Sequence, residues 1–211
     1  MAVTQKMDVF DLAWTYARAD ETPPLIVMRG TSGTGKSVLA TKIAPWLGAE
    51  VVRSDVVRKE LAGLKPLDRS DEEGTEKLYA SDMSARTYDE ILRRANAHVR
   101  AGRPAILDAT YLLRKGRTAA LEVAKRLGAP FAIVDVTCSD DEVRRRLEAR
   151  ESAGDDASDA GVAVYEMQRK ETEPFNEDEQ PYVVTVDSTE PAELATMKLL
   201  ACLEPAMGEG T

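Results

Sequence analysis

An α/β architecture is what this chain encodes: a five-stranded parallel sheet with helices on both faces. Three observations carry that reading. Short apolar runs alternate along the chain with stretches of helical spacing. A glycine-rich loop joins the first apolar run to the first helical stretch. Glycines 48, 102 and 128 stand just past three helical stretches, where a left-handed C′ residue belongs.

The elements run in order along the chain. After Pro23-Pro24, Leu25 to Met28 is too short for a helix and fits a strand buried on both faces. Val38 to Leu47 reads as a helix, and Val51-Val52 opens the second strand. Residues 62–75, rich in Gly, Pro, Asp and Glu, read as a loop. From Ser81 to Ala101, the set Tyr88, Ile91, Leu92, Ala95 and Val99 recurs at helical spacing. Pro104 to Leu107 is the third strand, ending on Asp108, and Arg117 to Leu127 is the next helix. Phe131 to Val136 is the fourth strand. Ser139-Asp-Asp-Glu142 has the form of a capping box, opening a helix to about Arg150. Residues 151–160 are small and polar, and Val162 to Lys170 reads as helix. Tyr182 to Val186 is the fifth strand, and Thr189-Glu-Pro191 starts a last helix ending near Leu203. An extra helix is expected over residues 4–19. The domain plan is therefore an N-terminal helical extension, 1–22, and one catalytic domain, 23–211, with a lid at about 144–160.

Composition narrows the function classes. With 43% hydrophobic and 31% charged residues the chain has the balance of a folded globular protein, and no apolar stretch approaches the roughly 18 residues of a membrane span. The first twenty residues carry Asp8, Asp11 and Asp20, unlike a signal peptide. One histidine, His98, and two distant cysteines, Cys138 and Cys202, leave no zinc site or disulfide framework, so the expected setting is the reducing cytoplasm. Residues 171–211 hold ten acids against Lys198 alone, which accounts for the whole net charge of −9. Residues 1–170 are neutral. With eleven aromatic residues and no broad basic stripe, a dedicated nucleic-acid binder is disfavoured. Composition is silent on oligomeric state.

The glycine loop is the most specific signal. Gly30-Thr31-Ser32-Gly33-Thr34-Gly35-Lys36-Ser37 satisfies G-x-x-x-x-G-K-[ST], the Walker A pattern, at every fixed position and lies between a strand and a helix. Glycines let successive backbone N–H groups turn inward around a phosphate at the positive end of the helix. Lys36 reaches the β/γ oxygens, and Ser37 offers its hydroxyl to Mg²⁺. The implied cofactors are ATP and Mg²⁺, with Asp108 as the second metal residue.

The residues just after Asp108 bear on the fate of the γ-phosphate. The third strand ends Asp108-Ala109-Thr110, with alanine where AAA+ hydrolases carry a water-activating glutamate. That favours transfer to an acceptor over hydrolysis. No Asn-Lys-x-Asp is present for guanine selection, and Asp71-Glu-Glu-Gly74 comes after no strand, so it reads as a loop. Asp55, past the second strand, stands at the carboxyl edge where such folds bind ligands, with Arg58 one helical turn on. Asp55 suits a general base toward a hydroxyl, Arg58 and Thr110 suit acceptor contacts, and the bland alternative for Asp55 is a helix N-cap. Arg146 and Arg150 share a helix face and suit a lid that closes on the phosphates, whereas Arg144 and Arg145 read as solvated. His98, the cysteines, Trp14 and Trp46 read as structural.

These pieces resemble the polynucleotide-kinase-like and zeta-toxin-like phosphate-loop kinases, from about Leu25 to Asp187. The likeness is greatest to the kinase-like domain that follows an aminoglycoside-phosphotransferase-like domain in longer bacterial proteins. It rests on Gly30 to Ser37, Arg53 to Lys59 with Leu61 and Gly63, Asp108-Ala-Thr110, the Arg146/Arg150 pair and Asp156 to Ala160. The resemblance implies Asp55 as base, Arg58 as an acceptor contact and Arg150 as the lid arginine at the phosphates. Tyr111 replaces the asparagine that polynucleotide kinases often carry after the threonine, and Asp155, Asp156 and Asp159 would repel a polyanion. The expectation is thus an ATP-dependent kinase acting on a hydroxyl of a small molecule or nucleotide-like acceptor. The alternatives are a polynucleotide 5′-hydroxyl kinase and a nucleotide-binding regulatory module without transfer.

Overall fold

The computed structural model describes residues 22–66, 68, 74, 78, 80–150 and 161–203 in full, and the backbone of 151–153. The expected helix at 4–19, most of Asp71 to Gly74, and lid residues 154–160 lie outside the described residues.

The strands are β1 (Leu25–Arg29), β2 (Glu50–Arg53), β3 (Ala105–Asp108), β4 (Phe131–Thr137) and β5 (Val183–Asp187). They form one parallel sheet in the order β2-β3-β1-β4-β5. The helices are α1 (Lys36–Leu47), α2 (Ser54–Leu61), α3 (Ser81–Arg100), α4 (Arg114–Leu127), α5 (Asp140–Ala153), α6 (Val162–Glu171) and α7 (Ala192–Leu203). A single 3₁₀ turn, Gln180–Tyr182, precedes β5.

The continuous apolar sequence of β1 has a direct cause. It is the middle strand, and successive side chains enter opposite cores. Leu25 and Val27 pack with Ile91, Ala95 and Val99 of α3 and with Ala120 and Ala124 of α4. Ile26 and Met28 pack with Leu39 and Ile43 of α1 and with Ala195 and Leu199 of α7. These four of the five β1 side chains are fully buried, each contributing roughly 1.5–3 kcal/mol of transfer free energy. A polar residue on either face of β1 would therefore open one core or the other.

Strand order also positions the site. The chain leaves β1 toward β2 on one side and leaves β3 toward β4 on the other, so a crevice opens at the carboxyl end of β1. The glycine loop sits there. Gly48 and Gly128 adopt the left-handed conformation expected after α1 and α4. Two details differ from expectation. The cap position of α2 is Arg53, with no side-chain cap bond, so Asp55 lies in the first turn and is not an N-cap. The capping box before α5 is only half formed: the Glu142 N–H donates to Ser139 Oγ at 3.4 Å, but the Glu142 carboxylate accepts from Arg145 and Arg146 instead of reaching back.

A small third core of Val143, Leu147 and Tyr165 joins α5 to α6, and the Tyr165 hydroxyl donates to Asp140 at 2.7 Å. Among the described residues no helix is long and apolar enough to cross a membrane.

Candidate functional site

The loop between β1 and α1 is shaped by close approaches that only glycine permits. Gly30 has φ +144°, and a Cβ there would lie 2.6 Å from the Val136 carbonyl oxygen. Gly33 has φ +84°, and its Cβ would lie 2.9 Å from both Leu147 Cγ and Val143 Cγ1 of α5. Within the loop, Thr34 Oγ1 and Lys36 Nζ both donate to the Thr31 carbonyl, at 2.9 and 2.7 Å. Gly30 N–H donates to the Thr110 carbonyl at 3.1 Å, tying the loop to the end of β3.

Burial dominates the electrostatics of Lys36. It lowers the lysine pKa to about 8, against the opposing attraction of Asp108 and Asp55, while Arg150 lowers it further. Burial likewise raises the Asp108 pKa, opposed by a hydrogen bond from the Ser37 hydroxyl and by the charges of Lys36 and Arg53. Arg53 Nε lies 3.5 Å from Asp108 Oδ2. One hydroxyl and one carboxylate, already in contact at the carboxyl edge, fit Mg²⁺, which takes few protein ligands and completes its shell with phosphate oxygens and water.

A cavity of about 680 Å³ runs from this loop across the crevice. Ser32, Gly33, Gly35, Lys36 and Ser37 line one end, with Arg146 and Arg150 from α5. Arg146 is held in place there, donating through Nε to Glu142 at 2.7 Å and through Nη1 to Ser188 Oγ at 2.9 Å and the Thr34 carbonyl at 3.3 Å. Asp108, against the Ser37 hydroxyl, and Asp55, Arg58 and Thr110 line the same cavity. Of the residues singled out in sequence, Gly30, Thr31 and Thr34 act within the loop, and the rest meet at one cavity. Arg58 is buried, and one of its guanidinium nitrogens donates to the Leu78 carbonyl at 3.1 Å. Arg144 and Arg145 are exposed and paired with Glu166 and Glu142.

Four features were not anticipated. Tyr88 presents its hydroxyl 3.1 Å from that of Thr110 and accepts from Tyr111 N–H at 3.3 Å. Tyr111 adopts φ +45°, and its buried hydroxyl has no hydrogen-bond partner among the described residues. Arg53 and Gln168 also enter the site, Gln168 by accepting from Ser32 N–H at 2.7 Å. Nothing in the local sequence of α6 signals that contact, because it joins residues far apart in the chain.

Comparison with known proteins bears on the family and the fold. A family model described as an AAA domain matches residues 25–175. An uncharacterized protein of Mycobacterium tuberculosis, Rv2004c, is 33% identical over 138 residues, 64% of this chain. A protein of Mycobacterium bovis, Mb2027c, matches to the same extent. The chain spans only 27% of the length of these relatives. Among solved structures, a sugar kinase from Janibacter sp. shares 19% identity, covering 87% of this chain and 96% of that one, with a TM-score of 0.62. APS kinase CysC of Mycobacterium tuberculosis, in complex with AMPPNP and APS, shares 19% identity over 87% of this chain and 99% of that one, at 0.61. Kti12 of Chaetomium thermophilum, in complex with ADP-AlF3, shares 15% over 86% and 100%, at 0.64. These likenesses show a phosphate-loop NTPase fold.

Proposed function

The chain belongs to this AAA-domain family, and on that premise we propose that it is an ATP-dependent kinase transferring the γ-phosphate to a hydroxyl of a small molecule or nucleotide-like acceptor. The observation that carries the reading is the layout around Asp108. Its carboxylate takes the Ser37 hydroxyl, Lys36 and Asp55 act on it through space, and the next residue is buried Ala109 in the cavity wall. A metal-and-phosphate end is thus present without a carboxylate directly after Asp108 to activate water, while Asp55 waits at the acceptor end.

In this reading Gly33, Gly35, Lys36 and Ser37 hold the triphosphate, and Ser37 with Asp108 holds Mg²⁺, which when bound neutralises phosphate charge. Arg146 and Arg150 meet the charge that develops on the transferred group. The acceptor oxygen bonds to the γ-phosphorus as the bond to the β-phosphate oxygen breaks, ADP leaves, and Asp55 takes the hydroxyl proton. Arg58 and Thr110 position the acceptor. The domain is 23–211, with the lid at about 144–160.

The acceptor end supports a small molecule. Its wall includes Ala85, Tyr88, Leu92, Leu112 and Leu113, with Lys115 and Arg58 as cations among the described residues, a poor match for a polyanionic strand, which needs many phosphate contacts. The names of the sugar kinase and APS kinase relatives point the same way. The test is a screen of sugars, nucleosides, amino alcohols and a 5′-hydroxyl oligonucleotide with γ-labelled ATP. Acceptor-dependent label transfer to a small molecule is expected. Preferred transfer to the oligonucleotide, with steep salt dependence, would make the protein a polynucleotide kinase. ATP binding with no transfer to any acceptor would leave a nucleotide-binding module.

A further inference from the structure

Lys36 and Gln168 grip the same peptide unit from opposite ends. The Thr31 carbonyl accepts from Lys36 Nζ at 2.7 Å, and the Ser32 N–H, across the same peptide bond, donates to Gln168 Oε1 at 2.7 Å. The amide plane is rigid, so its two ends cannot move independently. Gln168 is 8% exposed and lines the cavity with its neighbours Met167 and Glu171.

The two grips have different fates. Lys36 is the group that bonds to the β/γ oxygens when ATP is present, which takes its ammonium away from the Thr31 carbonyl. Gln168 has no such competing duty. Its helix is secured beyond its carboxyl end, where Glu173 N–H donates to the Leu112 carbonyl at 3.0 Å and the Glu173 carbonyl accepts from Arg29 at 3.2 Å. Both partners belong to the sheet's strands or the segments just after them. At its other end α6 comes after the lid residues and packs on α5 through Tyr165, Val143 and Leu147.

We propose that Gln168 is a positioning residue for the triphosphate: it holds the Thr31–Ser32 peptide of the phosphate loop when Lys36 transfers its ammonium to the nucleotide, and so couples α6 to nucleotide binding. A buried N–H deprived of its acceptor is costly, so the loop without Gln168 keeps its shape only while Lys36 holds the other end, and binding ATP works against that. The inference rests on the nucleotide half of the proposed function and on neither the acceptor nor the base.

The test uses the full chain and two variants. Gln168→Met keeps the length of the side chain and removes the acceptor; Gln168→Glu keeps an acceptor oxygen. Hydrogen exchange at the Ser32 amide, ATP and ADP affinity by calorimetry, and thermal melting are measured on each. For Gln168→Met, the expected results are at least tenfold faster Ser32 exchange, about tenfold weaker ATP binding and a cooperative melt whose midpoint is only modestly lowered. For Gln168→Glu, Ser32 protection is retained while ATP binding weakens, more than ADP binding, because a carboxylate now stands beside the phosphates. Unchanged Ser32 exchange and ATP affinity in Gln168→Met would overturn the proposal. If that variant misfolds, loss of Ser32 protection in a folded Gln168→Glu protein does so. Wild-type protein that binds no ATP would sink the proposed function and this inference together, whereas normal binding by both wild type and Gln168→Met sinks this inference alone.

Discussion

Lys36 carries a burial cost in the free protein that, on the proposed function, nucleotide binding would relieve. Its pKa falls from 10.5 to about 8, so between those values the unfolded chain holds a proton that the folded chain does not, and stability rises with pH across that window. Phosphate oxygens restore the charged form. ATP binding at about pH 8.5 should therefore take up a proton, and at pH 7 the uptake through this group should fade, since the ammonium is already charged. The phosphate's own second ionisation lies near about pH 6 and does not confuse the window. Calorimetry in buffers of different ionisation enthalpy reads this directly, and Lys36→Met should remove the uptake along with ATP binding while making the free fold more stable at neutral pH. Proton uptake that persists in a Lys36→Met protein still saturated by ATP would reassign the titrating group. Asp55 is separable from Lys36. As the proposed general base it would contribute roughly 10²–10⁴-fold to transfer, while ATP binding would need little from it. Asp55→Asn should lower acceptor-dependent turnover by that factor and shift ATP affinity by less than about threefold, under about 1 kcal/mol. A matched fall in both quantities would count against the base assignment.

At the scale of elements, the phosphate loop and α5 are built against one another. Gly33 leaves room for Leu147 and Val143, which belong to the same small core as Tyr165 of α6. Gly33→Ala should strain the backbone at φ +84° and push on both side chains, lowering stability by roughly 1–3 kcal/mol and weakening ATP binding more than a remote substitution of equal cost. Denaturant unfolding and calorimetry on the same sample check it, and a neutral effect would show that α5 yields freely. These contacts also mark where the sequence stops being legible. Strands and helices were readable because β1 is covered on both faces and because Gly48 and Gly128 end their helices in the left-handed conformation. The phosphate-loop pattern, Asp55, Asp108 and Thr110 near strand ends, and Arg58, Arg146 and Arg150 at helical spacing were singled out in the sequence, and these six residues line one cavity. The half-formed capping box was not legible, because Arg145 and Arg146 compete for the Glu142 carboxylate. Nor were Tyr111 in its left-handed conformation or Gln168 on the loop, since both depend on packing between distant segments.

Across the whole molecule, one buried arginine joins the segment after β3 to the chain after α6. Arg117 of α4 is fully buried. Its Nε donates to Glu179 Oε1 at 2.6 Å, its Nη1 to the Leu112 and Tyr111 carbonyls at 2.8 and 3.1 Å, and its Nη2 to the Pro174 carbonyl at 3.1 Å. It also lies 5.1 Å from the centre of the Phe175 ring, which Arg29 approaches to 4.4 Å. The segment after Asp108 and the segment after α6 are thereby fixed to each other beneath the cavity. Burial pushes the Glu179 carboxyl up, but the bonds from Arg117 and from the Asn176 backbone outweigh it, so its pKa sits below the ordinary 4.5. That pair therefore contributes stability above pH 4.5 and loses it as pH falls through the folded value. Arg117→Met strands a buried carboxylate and should cost roughly 3–5 kcal/mol at pH 7. Because burial then acts without the arginine against it, Glu179 should titrate higher in that variant, and its deficit relative to wild type should shrink as the pH is lowered toward about 5. Adding Glu179→Gln removes the stranded charge and should recover part of the loss. Urea unfolding of wild type, Arg117→Met, Glu179→Gln and the double variant at both pH values makes the comparison. If the double variant is as unstable as the sum of the two single ones, and the deficit of Arg117→Met ignores pH, Arg117 acts as packing and backbone clamp alone, and its charge on Glu179 is not what holds the two segments together.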